Sequence, residues 1–289
     1  MSVNSAPGAP VPWLIAVALI LAAFAGFLYY LLQPVTFTYR GMTMEAVPGV
    51  AVNRYDPDGF YTDEKGRVQY TSKGASARAG IDVSYSQGDI DWAAVAADGV
   101  DFAIIRLGYR GYTQGAIQTD SCFYQNIQGA LDAGLDVGVY FFSQAITPEE
   151  ARQEADYVLS LLESYPITCP VVYDWEPITF AEGARTDQLE NEVLTQCAAA
   201  FCQQIAQAGY TPAVYFNQEM GYFSFDLKEL SPFQFWLAEY DSYPSFYYGF
   251  TMWQYTHEGS TDWKNYPTWQ ESFGMEYNTL RPGMPDGLR

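Results

Sequence analysis

Residues 137–175 read VGVYFFSQAITPEEARQEADYVLSLLESYPITCPVVYDW, and this stretch decides the fold. It contains a short apolar run at 137–142, a longer amphipathic run at 148–164 and a second short apolar run at 170–175. Short apolar runs that alternate with amphipathic ones are the signature of βα units and of a parallel sheet. The stretch therefore predicts a strand, a helix and a second, parallel strand.

The same alternation extends to both sides of this stretch and begins after Gly80. Strands are predicted at residues 81–85, 102–107, 137–142, 170–175, 212–216, 235–240 and 252–255. Helices are predicted at residues 90–97, 122–133, 148–164 and 187–208. The last strands follow each other with little helix between them. These patterns predict an α/β protein, with a TIM-like (β/α) barrel domain at residues 80–289 that is regular in its first half and helix-poor in its second.

Residues 13–32 read WLIAVALILAAFAGFLYYLL, an uncharged run long enough as a helix to cross about 30 Å of hydrocarbon. A cleavable signal peptide is the alternative, but its apolar region would be shorter and preceded by positive charge, and residues 1–12 contain no Lys or Arg. We expect an uncleaved transmembrane anchor at 13–32 after a short cytoplasmic tail at 1–12. Residues 33–79 are polar and rich in turn residues, which predicts a linker with one small β-hairpin whose turn lies at 63–66.

The composition narrows the class of ligand. The chain of 289 residues has 14 Lys plus Arg against 34 Asp plus Glu, a net charge of −20, which argues against nucleic acid because phosphate binding needs a basic face. The 24 Tyr, 18 Phe and 7 Trp fit a neutral, amphipathic ligand such as a sugar, although most of them are expected in the core. The four cysteines form no paired Cys-x-x-Cys metal pattern, so we expect buried free thiols and no metal site.

Carboxylates dominate the predicted carboxyl ends of the strands, where a (β/α) barrel places its active site. Asp82 lies in the first strand, and Asp174 and Glu176 end the fourth, two positions apart and hence on one face. Crowded acids raise one pKa, which leaves one group protonated as a general acid while the other stays anionic, as glycoside hydrolysis requires. Such acids can also bind an Arg or a helix N-terminus. A spacing of about 6.6 Å along a strand leaves retaining and inverting chemistry open.

Seven motifs together resemble glycoside hydrolase family 25, the Chalaropsis-type lysozymes, over about residues 80 to 280. They are GIDVSYSQGDIDW at 80–92, FAIIR at 102–106, GVYFF at 138–142, YDWEP at 173–177, AVY at 213–215, FWLAEY at 235–240 and WQY at 253–255. The resemblance implies a barrel of five βα units followed by plain strands. It also implies cleavage of the β-1,4 bond from N-acetylmuramic acid to N-acetylglucosamine, with retention of configuration and without a metal or other cofactor.

By position, Glu176 resembles the general acid/base of the family. Asp174 resembles the carboxylate that stabilises the charged intermediate or orients the substrate's acetamido group, and Asp82 the acid of the first strand. The resemblance makes five aromatic residues candidates for contact with sugar, although each could equally be part of the packing of the barrel: Tyr140, Tyr215, Trp236, Tyr240 and Trp253. The family's closing strand has an Asp where this chain has Glu276, within GMEYN at 274–278. The single histidine, His257, is expected in a loop or at the rim of the site.

The function expected from these residues is that of a membrane-anchored peptidoglycan hydrolase whose partners are the glycan strands of the wall. Because that substrate lies outside the membrane, residues 33–289 are expected to be extracytoplasmic, against the weak opposing signal of Arg40. Two alternatives are a non-catalytic, sugar-binding barrel of the wall and a chitinase-like glycosidase, whose barrels also carry Asp-x-Glu at the fourth strand. Retention of all three acids favours an enzyme, and the start at 80–84 favours the muramidase.

Overall fold

The computed structural model describes residues 12–31, 33–259 and 269–275, and the chain forms two compact units, residues 1–48 and 49–289. The first unit begins with helix α1 (Pro12–Leu31), whose 20 residues carry no charge and are long and apolar enough to cross a membrane. Strands β1 (Thr36–Tyr39) and β2 (Met42–Glu45) follow as an antiparallel hairpin. Its two-residue turn, Arg40 and Gly41, has positive φ angles of 47° and 80°. The sequence did not predict this hairpin.

The second unit contains the remaining strands and helices. Its strands are β3 (Phe60–Thr62), β4 (Val68–Ser72), β5 (Ala75–Val83), β6 (Phe102–Arg110), β7 (Ile117–Thr119), β8 (Asp136–Phe142), β9 (Val171–Asp174), β10 (Pro212–Asn217), β11 (Gln234–Ala238), β12 (Met252–Gly259) and β13 (Trp269–Met275). Its helices are α2 (Trp92–Ala97), α3 (Phe123–Asp132), α4 (Pro148–Leu162), α5 (Asn191–Gln207), α6 (Gln218–Phe223) and α7 (Leu227–Leu230). The seven predicted strands and four predicted helices are confirmed at their places in the chain.

All eleven strands of the second unit belong to one mixed sheet. Seven of them pair in parallel in the order β5-β6-β8-β9-β10-β11-β12, and β13 lies antiparallel between β12 and β5. Helices connect most of the parallel strands, so the α/β class is confirmed. In the register of β9, β10 and β11, Asp174 lies beside Tyr215, and Tyr215 lies beside Trp236. These three side chains therefore project from one level of the sheet.

The inner face of the parallel strands is filled by alternate residues of each strand, as the two-residue repeat of a strand requires. Its buried cluster consists of Phe102, Ile104, Val172, Ala213, Tyr215, Trp236, Ala238 and Met252, with Tyr140 and Cys169 packed against it. Gly80 begins this face next to Phe102. A Cβ atom at Gly80 would lie 2.1 Å from the Phe102 ring, so the glycine leaves room for this ring to lie across β5.

Residues 49–79 pack against the sheet. The predicted hairpin is confirmed as β3 and β4, with its turn closed by the hydrogen bond from Gly66 N to Asp63 O. Strand β4 also pairs with β5, which joins the hairpin to the main sheet. The ring of Phe60 lies edge-on to that of Trp253 with centroids 5.6 Å apart. This segment thus covers part of the outer face of β12, a face that the connection from β11 leaves without a helix.

Candidate active site

The carboxyl ends of the parallel strands surround a cavity of about 350 Å³. The side chains that line it are Asp82, Ser84, Ser86, Gln87, Arg106, Tyr140, Phe142, Asp174, Glu176, Tyr215, Trp236, Gln254 and His257. A wider depression of about 690 Å³ at residues 188–193 is lined by six consecutive residues, so separate elements do not converge there. The three predicted acids and three of the predicted aromatic contacts line the smaller cavity.

The three predicted acids meet in this cavity. Asp82 and Asp174 are 2% and 5% exposed, whereas Glu176 is more accessible. The backbone around the pair is fixed from the end of β8: Ser143 N donates to Asp174 O at 2.7 Å, and Gln144 Nε2 donates to Glu176 O at 3.0 Å. Two backbone carbonyls are thereby anchored by neighbouring residues, which restricts where both carboxyl groups can point.

Burial raises the pKa of Asp174 well above its ordinary value, and the charges of Glu176 and Asp82 raise it further, while Arg106 lowers it. Burial also raises the pKa of Glu176. The pair therefore retains a proton at a pH where exposed carboxyl groups have lost theirs. The sequence predicted a raised pKa from crowding of like charges, but removal from water is the larger cause.

Asp82 is held by Gln254, a residue whose role the sequence did not indicate. Gln254 Nε2 donates to Asp82 Oδ2 at 3.1 Å. Gln254 Oε1 accepts hydrogen bonds from the hydroxyls of Tyr215 and Tyr240, each at 2.9 Å. The amide of Gln254 thus connects Asp82 on β5 with Tyr215 on β10 and with Tyr240, which follows β11. The sequence feature that could have revealed Gln254 is the two-residue alternation along β12, which places Gln254 on the same inner face as Met252.

Arg106 is a second lining residue that the sequence did not single out. Its guanidinium pairs with the buried Asp120 at 2.7 Å and lies 4.8 Å from the centroid of the Tyr85 ring. Asp120 also accepts from the backbone N–H groups of Tyr85 and Cys122, at 3.1 and 2.9 Å. A fixed cation therefore stands beside the acids. The two-residue alternation from Ile104 to Arg106 placed it on the inner face.

Three of the aromatic residues predicted to contact sugar, Tyr140, Tyr215 and Trp236, line the cavity. Trp236 Nε1 and Asp174 Oδ1 are buried and have no hydrogen-bond partner among the described residues. These two atoms are a donor and an acceptor of the lining residues whose hydrogen bonds the described residues do not supply.

The other predicted contacts lie at the rim or elsewhere. Tyr240 is 51% exposed, and its ring centroid lies 4.8 Å from that of His257, which lines the cavity edge. Trp253 points to the opposite face of β12 from Gln254, is fully buried, and donates from Nε1 to Glu239 O at 2.7 Å. The structure thus gives Trp253 a packing position outside the cavity. Glu276 lies outside the described residues.

The four cysteines are free thiols: Cys197 and Cys202 are buried, as predicted, whereas Cys122 and Cys169 are partly exposed. The described ranges contain no group of three or more His, Cys, Asp or Glu side chains that could hold a metal ion.

Two carboxyl groups with raised pKa values, Asp174 buried and Glu176 partly buried, in an aromatic-lined cavity at the carboxyl ends of parallel strands, are the arrangement that glycoside hydrolysis requires. Residues 81–262 match the family model described as Glycosyl hydrolases family 25. The chain therefore belongs to glycosyl hydrolase family 25.

Individual relatives agree with this membership. The chain is 27% identical over 184 residues to the autolytic lysozyme of Clostridium acetobutylicum, covering 63% of this chain and 52% of that protein. It is 29% identical over 193 residues to lysozyme M1 of Streptomyces globisporus, covering 62% of each. The chain thus spans about half to three fifths of these relatives. A crystal structure of a family 25 glycosyl hydrolase from Bacillus anthracis shares the fold with a TM-score of 0.56 at 23% identity, covering 68% of this chain and 88% of that one.

Proposed function

We propose that this protein is a lysozyme, an N-acetylmuramidase that cleaves the β-1,4 bond between N-acetylmuramic acid and N-acetylglucosamine in peptidoglycan. The observation that carries the proposal is the buried pair Asp174 and Glu176, with raised pKa values, in the cavity of a family 25 chain. Both curated relatives bear the name lysozyme. The reaction proceeds with retention of configuration and without a metal ion.

Glu176 is the proposed general acid/base. It is the more accessible of the two carboxyl groups, so it is the one that can reach the oxygen of the scissile bond. In the first step its proton passes to that oxygen as the bond to the anomeric carbon breaks. In the second step the ionised carboxylate takes a proton from the attacking water. The role requires Glu176 to carry the proton of the pair when the substrate arrives, while burial and neighbouring charges raise the pKa of Asp174 further than burial raises that of Glu176.

Asp174 is proposed to stabilise the charged intermediate or to orient the acetamido group of the sugar. An amide offers one carbonyl acceptor and one N–H donor. The cavity offers the complementary pair, the unpartnered Trp236 Nε1 and Asp174 Oδ1, which project from one level of the sheet. This match supports an N-acetylated sugar as the ligand.

The remaining lining residues are proposed to hold the glycan. Tyr140 and Tyr215 present ring surface to the sugar inside the cavity, and Tyr240 does so at its rim. Asp82 contributes negative charge that favours the developing positive charge of the sugar ring. Glu276, at the position where the family has an Asp, is a further proposed substrate contact.

We also propose that the parallel strands close into a (β/α) barrel, which the pairing of β5 with β6 on one side and with β13 on the other supports. In this arrangement residues 80–289 are the catalytic domain and residues 33–79 the segment that precedes it.

Residues 13–32 are proposed to anchor the protein in the cell membrane as a single span, with residues 1–12 cytoplasmic. The length and uncharged composition of α1 support the anchor.

One digestion tests the enzymatic proposal. The full chain, purified in detergent, is incubated with purified peptidoglycan, and the new reducing-end sugar is identified after borohydride reduction. Reduced N-acetylmuramic acid is the expected product. Reduced N-acetylglucosamine would contradict the bond assignment, and cleavage of chitin oligomers in preference to peptidoglycan would favour the chitinase-like alternative. Binding of wall fragments without any new reducing ends would favour a sugar-binding protein. The variant Glu176→Gln, assayed in parallel, controls for a contaminating hydrolase.

A further inference from the structure

Gln254 occupies an unusual position for an uncharged residue in an acidic cavity. Its side chain lies on the inner face of β12, is 1% exposed, and uses both ends of its amide. The Nε2 end meets Asp82, and the Oε1 end meets the hydroxyls of Tyr215 and Tyr240. No water is needed to complete these bonds, because each partner is a protein atom within 3.1 Å.

The tyrosines decide which way the amide faces. Burial raises the pKa of Tyr215 well above its ordinary value and also raises that of Tyr240, so both hydroxyls keep their protons. Both hydroxyls donate to the amide oxygen, Gln254 Oε1, at 2.9 Å. The amide NH₂ must then face Asp82. A donor at that position is best matched by an ionised carboxylate, whose oxygens can only accept.

The charge of Asp82 affects the catalytic pair. Asp82 is one of the groups whose charge raises the pKa of Asp174, together with Glu176 and against Arg106. Among the side chains that the structure describes, the titratable and charged groups that share the cavity with Asp82 are Asp174 and Glu176 from β9 and its end, Arg106 from β6, Tyr140 from β8, Tyr215 from β10, Tyr240 after β11 and His257 from β12. Gln254, which is not itself titratable, donates a hydrogen bond directly to Asp82, so it can influence whether that carboxyl group is charged.

We propose that Gln254 is a positioning residue, which holds Asp82 as an anionic acceptor beside Asp174 and Glu176 and fixes the two tyrosines at the mouth and wall of the cavity. The proposal rests on the proposed function, since it assigns Gln254 a part in keeping the proton that Glu176 donates. Gln254 acts through Asp82 and the tyrosines and need not touch the reacting atoms.

Two substitutions separate this role from simple packing. Gln254→Glu keeps the shape and an acceptor for both tyrosines, but its carboxyl group can donate to Asp82 only while it is protonated. We expect the turnover of Gln254→Glu to approach that of the parent at low pH and to fall roughly ten- to a hundredfold below it as pH rises and the two acids ionise together. Gln254→Met fills similar volume without polar atoms. It should lose turnover by a similar factor at every pH, with KM changed much less.

Gln128→Glu is the matched control. Gln128 donates from Nε2 to Asp132 Oδ1 at 2.8 Å on the exposed face of α3, so the same chemical change is made beside an aspartate in water. Its pH–rate profile should superimpose on that of the parent. If the profile of Gln254→Glu also superimposes on that of the parent, the proposal is overturned. The same conclusion follows if Gln254→Met retains parental turnover.

A readout without activity separates this proposal from the enzymatic one. The Asp82 carboxyl carbon, labelled with carbon-13 and assigned by loss of its signal in Asp82→Asn, is titrated in the full-length parent and in Gln254→Met. We expect the midpoint of the Asp82 titration to lie at lower pH in the parent, and equal midpoints would contradict the proposal. An inactive parent with the expected difference would refute the muramidase and leave the bond between Gln254 and Asp82 supported.

Discussion

Single residues carry the chemistry of this site, and the central one is Glu176. Glu176→Gln keeps size and hydrogen bonding but cannot transfer a proton. Because general acid catalysis contributes on the order of a hundred- to ten-thousandfold, we expect this variant to lose at least the lower of these factors in turnover on peptidoglycan while still binding wall fragments. A Glu176→Gln variant that digests the wall at nearly the parental rate would place the acid elsewhere.

Asp174→Asn is the companion variant. It should lower turnover by a similar factor, because the charge that stabilises the intermediate is lost. In the double variant the activation free energy should rise by much less than the sum of the two separate increases, since the residues act as one unit. Both variants must melt close to the parent before rates are compared. Additive losses would show that Asp174 acts independently of Glu176.

The acids of the site were predictable and the groups that control them were not. Asp82, Asp174 and Glu176 follow from strand alternation at the ends of apolar runs, because a charged residue in such a run is conspicuous. Gln254 and Arg106 lie on the same inner faces, but their roles depend on partners more than ten residues away. Trp253 shows the converse: its ring suggested a sugar contact, whereas the alternation of β12 turns it to the outer face.

At the level of elements, the network behind the site joins helix α4 to the ends of β6 and β8. Glu154 on α4 is fully buried, and its carboxyl group accepts from Arg110 Nε and from Ser143 Oγ, each at 2.6 Å. Ser143 is the residue whose backbone N–H holds Asp174 O. Burial raises the pKa of Glu154 from 4.5 to about 7, against the lowering effect of its two partners. Glu154, which holds the end of β9 through Ser143, can therefore gain or lose a proton near pH 7.

This raised pKa predicts how stability varies with pH. Glu154 binds its proton more tightly in the folded state, so its contribution is fully present below the unfolded value of about 4.5 and is lost as pH rises through about 7. At roughly 1.4 kcal/mol per pKa unit, the loss is on the order of 3 kcal/mol. We expect Glu154→Gln to flatten the fall in unfolding free energy over this window, measured by denaturant titration at several pH values. Glu149→Gln, an exposed change on the same helix, should leave the slope unchanged. Equal slopes for the parent and Glu154→Gln would contradict the prediction.

The hairpin of β3 and β4 covers the helix-poor side of the sheet. Phe60 packs on Trp253 and lies 4.7 Å from the ring of Tyr70, whereas Tyr61, the next residue, is 53% exposed. We expect Phe60→Ala to lower the free energy of unfolding by about 2 kcal/mol, because it opens a gap over a fully buried indole. Tyr61→Ala on the other face should change it by less than about 0.5 kcal/mol. An effect of Phe60→Ala as small as that expected for Tyr61→Ala would show that the contact of the hairpin with Trp253 does not stabilise the sheet.

The sequence predicted the strands and helices of the βα units better than the additions to them. Long amphipathic runs and apolar strands carry strong local patterns, so α3, α4 and α5 and the strands beside them were placed within a few residues. The β1–β2 hairpin and the short elements β7, α6 and α7 are too short to carry such periodicity. The hairpin of β3 and β4 was predicted from its turn. Its packing on β12 depends on contacts between residues nearly 200 positions apart, which no local pattern contains.

At the scale of the whole molecule, two properties bear on which side of the membrane the catalytic unit occupies. The uncharged helix α1 precedes a segment that includes Arg40, a positive charge that favours retention of that segment in the cytoplasm. The rest of the chain carries a family 25 cavity whose proposed substrate is the cell wall. One basic residue on a short flank is a weak signal for orientation, and an enzyme sealed from its substrate would have no reaction to perform. We therefore expect residues 33–289 outside and residues 1–12 inside.

Protease treatment of intact protoplasts measures this orientation. A tag at the N-terminus and an antibody against the catalytic unit detect the two ends of the chain. In permeabilised protoplasts, used as the control, the protease should digest both epitopes. We expect the catalytic unit to disappear and the N-terminal tag to survive in intact protoplasts. The tag and the catalytic unit could also both be missing from the membrane fraction before any protease is added, with the catalytic unit present in the medium. This result would identify residues 13–32 as a cleaved signal. Protection of the catalytic unit together with digestion of the tag would place the cavity in the cytoplasm. That outcome would overturn the proposed topology and would count against the proposed function, whose substrate lies outside the membrane.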